Sequence, residues 1–261
     1  MRIAVGIEYD GSSFCGWQSQ AQGTGVQAVV EAALSVVANE PIVVQCAGRT
    51  DAGVHAVCQV AHFDSHSERT PRAWTLGANS HLPRSVSLRW AQVVPEHFNA
   101  RFSAEARSYS YVLLNRLSRP GLWHGRVSWE HRPLALERMR AAATPLLGEH
   151  DFSAFRAAGC QARHPRRTIR RLELTRTGDL VCMNIEANAF LQHMVRNIVG
   201  VLVKIGAGER PIDWAAEVLA GRDRRLGGVT APAAGLYFLR PHYPATFSLP
   251  VMTGAPAPLQ F

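Results

Sequence analysis

Near the N-terminus Ile3, Val5, Ile7 and Tyr9 alternate with smaller or polar residues. This is the period of a strand with one buried face, and Asp10-Gly11 marks the turn that follows. Thr24-Gly25-Val26-Gln27 reads as a capping box. Val26, Val29, Val30, Ala33, Leu34 and Val37 then recur at helical spacing, which predicts an amphipathic helix packed on a sheet. Apolar runs at 42–46 and 57–63 predict two strands, Thr70-Pro71 opens a short helix, and Val86, Leu88 and Trp90 alternate as a further strand.

A second set of elements begins near Arg107. Tyr109, Tyr111 and Leu113 share one face of a strand, and 134–147 reads as a helix that Gly148 stops. Apolar positions in 168–175 and 180–187, joined by Thr177-Gly178-Asp179, predict a hairpin. A helix over 190–205 carries Leu191, Met194, Val195, Ile198, Leu202 and Ile205 on one side and His193, Arg196, Asn197, Gly200 and Lys204 on the other. The run 235–239 closes the series, and Pro241, Pro244, Pro250, Pro256 and Pro258 make the end an irregular surface wrap. The expected fold is α+β. It has two similar halves, each a mainly antiparallel sheet with helices on one face, and an active-site cleft between them. The expected boundaries are 1–105 and 106–246, with a proline-rich tail at 247–261.

Composition narrows the function. At 261 residues, 47% hydrophobic and 18% charged, the chain is globular. Its 28 Lys+Arg against 20 Asp+Glu, a net +8, favour a polyanionic partner. Arg163, Arg166, Arg167, Arg170 and Arg171, beside His164, form a dense cluster that reads as a nucleic-acid patch, with a solvated face as the plainer alternative. Five cysteines at 15, 46, 58, 160 and 182 leave one unpaired in any disulfide scheme and contain no C-x-x-C, which points to a reducing cytosol. Cys46 and Cys58 read as small core residues. No signal-peptide pattern and no apolar run of membrane length is present, so a soluble cytoplasmic protein is expected. His55, His62 and His193 lack ligand spacing and read as structural, with no metal site.

The stretch with most chemistry is Ala47 to Val57, AGRTDAGVHAV. Gly48 and Gly53 mark a bent loop with a bare backbone that another molecule can approach. If the chain is extended from Arg49 to Asp51, their side chains leave the same face as neighbours. A carboxylate of ordinary acidity is ionised at neutral pH and needs no partner base to act as a nucleophile. The plainer alternative is an aspartate capping its own turn. Cleaving a glycosidic bond with loss of the leaving group calls for paired carboxylates. Glu8, Asp10, Glu31, Glu40, Asp64 and Glu68 sit in strand, turn, helix or polar surface contexts instead. A lone nucleophile suits a reaction whose leaving group never departs. A silent RNA-binding module and a nucleoside hydrolase are the rival classes; the first leaves Asp51 unexplained and the second wants a partner acid.

The run Gly48-Arg49-Thr50-Asp51-Ala52-Gly53-Val54-His55 resembles the active-site signature of the bacterial tRNA pseudouridine synthase A family. Similar to that family are also 6–11 (GIEYDG), 16–18 (GWQ), 73–77 (AWTLG), 100–104 (ARFSA), 193–197 (HMVRN) and Glu209, so the likeness spans roughly 1–245. The resemblance implies isomerisation of uridine to pseudouridine at positions 38–40 of the tRNA anticodon stem-loop, by a cytoplasmic homodimer without a cofactor. It implies Asp51 as nucleophile towards the ribose or the uracil ring, and Tyr109 stacking on the target base; Tyr111 shares the strand face. Flipping the base out of its stack costs a few kcal/mol. Arg49 is expected to swing to the RNA, and Arg196 to hold the Asp51 carboxylate. The arginine cluster would grip tRNA away from the chemistry. Gln192, before His193, and the charge of the arginine-rich loop depart from the family pattern.

Overall fold

The computed structural model describes residues 1–19 and 23–250, so the prolines at 256 and 258 lie outside the described residues. In chain order the elements are β1 (Arg2–Tyr9), α1 (Val26–Ala38), β2 (Gln45–Cys46), β3 (His55–Asp64), α2 (Pro71–His81), β4 (Val86–Val94) and β5 (Ala106–Asn115). They continue as β6 (Ser128–Glu130), α3 (Leu136–Ala143), β7 (Gly148–Asp151), β8 (Arg166–Thr177), β9 (Leu180–Ala187), α4 (Met194–Gly206), α5 (Trp214–Gly221) and β10 (Leu236–His242). The fold is α+β, and its described residues form two compact units, Met1–Ala106 with 237–250, and Arg107–Leu236.

In the first unit β1 is the middle strand, antiparallel to β3 on one side and β4 on the other. Gly6 sits where a β-carbon would fall 2.1 Å from Trp90 Nε1, so its missing side chain is what lets the indole lie across the strand. Burial along β3 is continuous from His55 to Phe63, with Gln59 and His62 included, so both faces of this strand are covered. Helix α2 packs on β4 and α1 on α2. Thr70 caps α2 by accepting from the Ala73 amide at 3.1 Å, with Pro71 as the first helical residue. The expected capping box at α1 does not form: Gly25 is the cap residue and makes no side-chain cap bond. The run 42–46 is strand only at Gln45–Cys46. The amides of Ile42 and Val44 are taken instead by Ser35 Oγ (2.9 Å) and Glu31 Oε1 (3.0 Å) of α1, so they do not enter a ladder.

The closing strand β10 was expected in the second half. It belongs to the first unit because Tyr237 and Phe238 pair in parallel with His55 and Ala56 of β3. Beyond it Phe247 packs its ring edge-on against Phe98 (5.0 Å), so the tail begins docked.

In the second unit β5 pairs antiparallel with β9 and parallel with β6, and β9, β8 and β7 continue as antiparallel neighbours. Helix α3 packs on β8 and α4 on α3. The predicted helix 134–147 is split: α3 ends at Ala143, and a 3₁₀ turn over Thr144–Leu146, containing Pro145, leads to Gly148 at φ +91°. Helix α4 begins at Met194 rather than 190, because His193 adopts φ +60° and interrupts the helical path. Its apolar stripe is buried as expected. β6, β7 and α5 had no counterpart in the sequence reading, being three, four and eight residues long.

Candidate active site

The Asp51 loop is held from below by polar contacts that its own sequence does not reveal. Thr50 is buried, and its hydroxyl lies 2.8 Å from the Tyr9 hydroxyl of β1. Its carbonyl accepts from the Trp17 amide at 3.0 Å. Asp51 forms an isolated antiparallel bridge with Gly16, and its carbonyl accepts from Val54 N–H at 3.1 Å. Gln59 Nε2 donates to Gly48 O at 2.5 Å. Burial raises the pKa of the Tyr9 phenol well above the ordinary tyrosine range, so it stays a neutral hydrogen-bonding group.

Alternation in this stretch is strict: Arg49 is exposed, Thr50 buried and Asp51 half-buried. Both charged side chains therefore lie on the outward side, as extended chain requires. Gly53 has φ +77°, and Gly16, at φ +105°, lies so close that a β-carbon there would come 2.7 Å from Thr50 O.

Five of the six other acids named from the sequence in this unit have structural occupations. Glu8 pairs with Arg89 and Asp64 with Arg2 (2.8 Å). Asp10 accepts from Ser12 N at 3.0 Å in an Asx turn, Glu31 from Gln27 and Val44, and Glu40 from Ser65 and His66. His55 and His62 each make a hydrogen bond within the fold. His55 is buried, accepts from Gly11 N–H at 3.1 Å and stacks on Tyr237 at 4.7 Å. His62 Nδ1 accepts from Ala100 N–H at 3.1 Å. Burial pushes the Cys46 thiol up to about 12 and Cys58 to about 11; Cys58 is a core residue as expected, whereas Cys46 is only half-buried. Among the described residues no group of three His, Cys, Asp or Glu is placed to hold a metal.

In the second unit the two tyrosines of β5 separate clearly. Tyr111 is fully buried, with its hydroxyl 2.6 Å from Ser128 Oγ and donating to Pro232 O at 2.7 Å. Tyr109 lies on the same face with its ring edge-on to Phe190 at 5.0 Å. Arg196 of α4 is half-buried, its Nε donating to Ala231 O at 2.7 Å while Ala231 N–H returns a bond to Arg196 O at 3.1 Å. Gly200, one turn on, permits this strap: a β-carbon there would meet Val229 O at 1.9 Å.

The arginine cluster divides. Arg163, Arg166, Arg170 and Arg171 are exposed, but Arg167 is buried, donating to His164 O (3.0 Å) and Arg166 O (2.6 Å). Desolvation lowers its pKa below the usual arginine value. A bulge in β8 between Ile169 and Arg171 puts Arg170 and Arg171 both outward. Arg171 is paired with Glu173 (2.6 Å) and Arg166 with Glu149 (3.5 Å). Arg163 and Arg170 carry no ion pair among the described residues.

A family model described as tRNA pseudouridine synthase matches residues 6–103 and 142–244. A protein of Xanthomonas campestris called tRNA pseudouridine synthase A is 56% identical over 96% of this chain and 98% of its own length. One of that name from Hydrogenovibrio crunogenus is 51% identical over 95% of each. Among solved structures, one of a Cbf5-Nop10-Gar1 complex aligns with 77% of this chain and 45% of that chain at 11% identity and a TM-score of 0.35.

Proposed function

The chain belongs to the tRNA pseudouridine synthase family, and on that premise we propose that it isomerises uridine at positions 38–40 of the tRNA anticodon stem-loop, with Asp51 as nucleophile. The observation that carries the nucleophile is its setting. Asp51 stands on the outward side of a loop braced by Tyr9, Trp17 and Gln59, while Glu8, Asp10, Glu31, Glu40 and Asp64 are committed to structural bonds. A single carboxylate of this kind bonds to the ribose or the ring. The N1–C1′ bond breaks, the retained uracil turns, C5–C1′ forms, the bond to Asp51 breaks and returns the carboxylate, and the proton lost from C5 is balanced by one gained at N1. Nothing leaves, so no second acid is needed for a leaving group.

The target nucleotide has to be flipped from its stack to reach Asp51. Tyr109 stacks on the flipped base in this reading, and Arg49 grips the RNA from the exposed side of the loop. Arg196, strapped to Ala231, supplies a fixed counter-charge. Arg163 and Arg170 add tRNA affinity remote from the chemistry. The enzyme works as a cytoplasmic homodimer, which light scattering of the purified protein tests.

The deciding assay uses unmodified tRNA carrying tritium at uridine C5. Wild-type protein releases tritium and leaves a carbon-linked uracil, and Asp51→Asn binds the same tRNA without releasing any. Free uracil among the products would indicate a hydrolase, and binding without release by the wild type an RNA-binding module. Activity retained in Asp51→Asn would defeat the assignment of the nucleophile.

A further inference from the structure

We infer that Arg101 and Phe102 form a stacking platform for a nucleobase flanking the target uridine; the inference rests on the tRNA-modifying reading above and adds a contact to it. Phe102 is 77% exposed, and the Arg101 guanidinium carbon lies 5.3 Å from its ring centroid. A single exposed phenylalanine needs no explanation. This one stands on a segment braced at almost every other position.

Phe98, fully buried, packs on His62 (5.9 Å), Tyr243 (5.2 Å) and Phe247 (5.0 Å). Ala100 donates its N–H to His62 Nδ1 and accepts from the Tyr243 hydroxyl at 2.6 Å. The Asn99 side-chain oxygen accepts from the amides of Arg101 (2.9 Å) and Phe102 (3.0 Å), and Ser103 closes the turn by bonding Asn99 through both its amide and its hydroxyl. The bracing fixes the backbone and leaves one π-face and one cation outward, where loss of mobility on binding is already met by the fold.

The position of the platform matches its use. Asn99 Nδ2 donates to Gln45 Oε1 at 3.3 Å, and Gln45 opens the strand that runs into the Arg49–Asp51 loop. The charges of Arg49 and Arg101 both favour the thiolate of Cys46, so both guanidinium groups lie within electrostatic range of that one side chain. A rigid aromatic face with an adjoining guanidinium takes a base by stacking and its phosphate by charge, with little preference for base identity. Flipping a uridine out leaves its neighbour with an uncovered face. Phe102 is placed to cover it.

The test compares wild type with Phe102→Ala, Phe102→Leu and Phe102→Trp, all full length. Its readouts are tRNA affinity at fixed salt, single-turnover tritium release, and fluorescence of 2-aminopurine placed beside the target uridine. Phe102→Ala and Phe102→Leu weaken binding about tenfold and lose the 2-aminopurine quench, whereas Phe102→Trp keeps both, because stacking rather than apolar area is the source. The salt dependence stays unchanged in all three, since no phosphate contact is lost. Phe102→Ala with wild-type affinity and quench overturns the platform. So does an unchanged RNA affinity accompanied by loss of self-association, which would make Phe102 a contact between copies of the chain. A wild type that releases no tritium from any tRNA defeats the functional reading itself; an active wild type matched by Phe102→Ala defeats only the platform.

Discussion

Replacing Gly16 by alanine tests whether the Asp51 loop works because it is held in place. Gly16 has φ +105°, a region L-residues rarely enter, and occupying it with a side chain costs about 1–3 kcal/mol. The new β-carbon would also lie 2.7 Å from Thr50 O and 3.1 Å from Ala52 N, both backbone atoms that cannot rotate aside. Comfortable contacts begin near about 3.5 Å, so the loop must retreat by roughly 0.8 Å. That shift falls on the residues flanking Asp51, and a misplacement of about 1 Å at a reacting group costs on the order of a hundredfold in rate. The expected outcome is a stability loss of about 2–4 kcal/mol by urea denaturation and a ten- to hundredfold fall in single-turnover tritium release. Gly178→Ala serves as the control. It has φ +57° with nothing within 4 Å of the added carbon, so it should lose about 1–2 kcal/mol and keep the wild-type rate. Gly16→Ala turning over as fast as Gly178→Ala would refute the argument that close backbone packing positions Asp51.

Other consequences are separable by assay. Tyr111→Phe strands Ser128 Oγ and Pro232 O and should cost about 1–3 kcal/mol of stability with a turnover rate close to wild type, whereas Tyr109→Leu, which removes the stacking face, should do the reverse; matching profiles would contradict the division between them. Burial and the Arg2 charge hold the His62 imidazole below its ordinary value of about 6.5, so the folded state favours the neutral form. Its contribution is complete above that pH and lost as pH falls through it towards the depressed folded value. Urea midpoints at pH 7.5 and 5 should therefore fall less for His62→Gln than for wild type, and an equal fall would remove His62 as a source. The Arg163→Ala/Arg170→Ala pair should reduce the slope of log affinity against log salt by about 2 and leave the rate at saturating tRNA unchanged, while Arg167→Ala should chiefly lower stability. An unaltered slope for the pair would return that face to ordinary solvation.

Much of the architecture is written locally. The stripe from Val26 to Val37, Thr70-Pro71, the alternation of Ile3 to Tyr9 and the Thr177-Gly178-Asp179 turn each state their element within a dozen residues, because period and turn chemistry are short-range properties. The outward alternation of Arg49 and Asp51 around buried Thr50 was legible for the same reason. What the tertiary structure alone decided depends on partners far along the chain. Ser35 and Glu31 take the amides that would have extended β2, and pairing with His55 and Ala56 brings β10 into the first unit. A bulge and a buried position split five consecutive-looking arginines into inward and outward sets. Tyr111 is consumed by Ser128 and Pro232, although in sequence it differs from Tyr109 only by one strand repeat. A residue's period says which way it points; which atoms meet it there is set by the other strands and loops that the fold brings alongside.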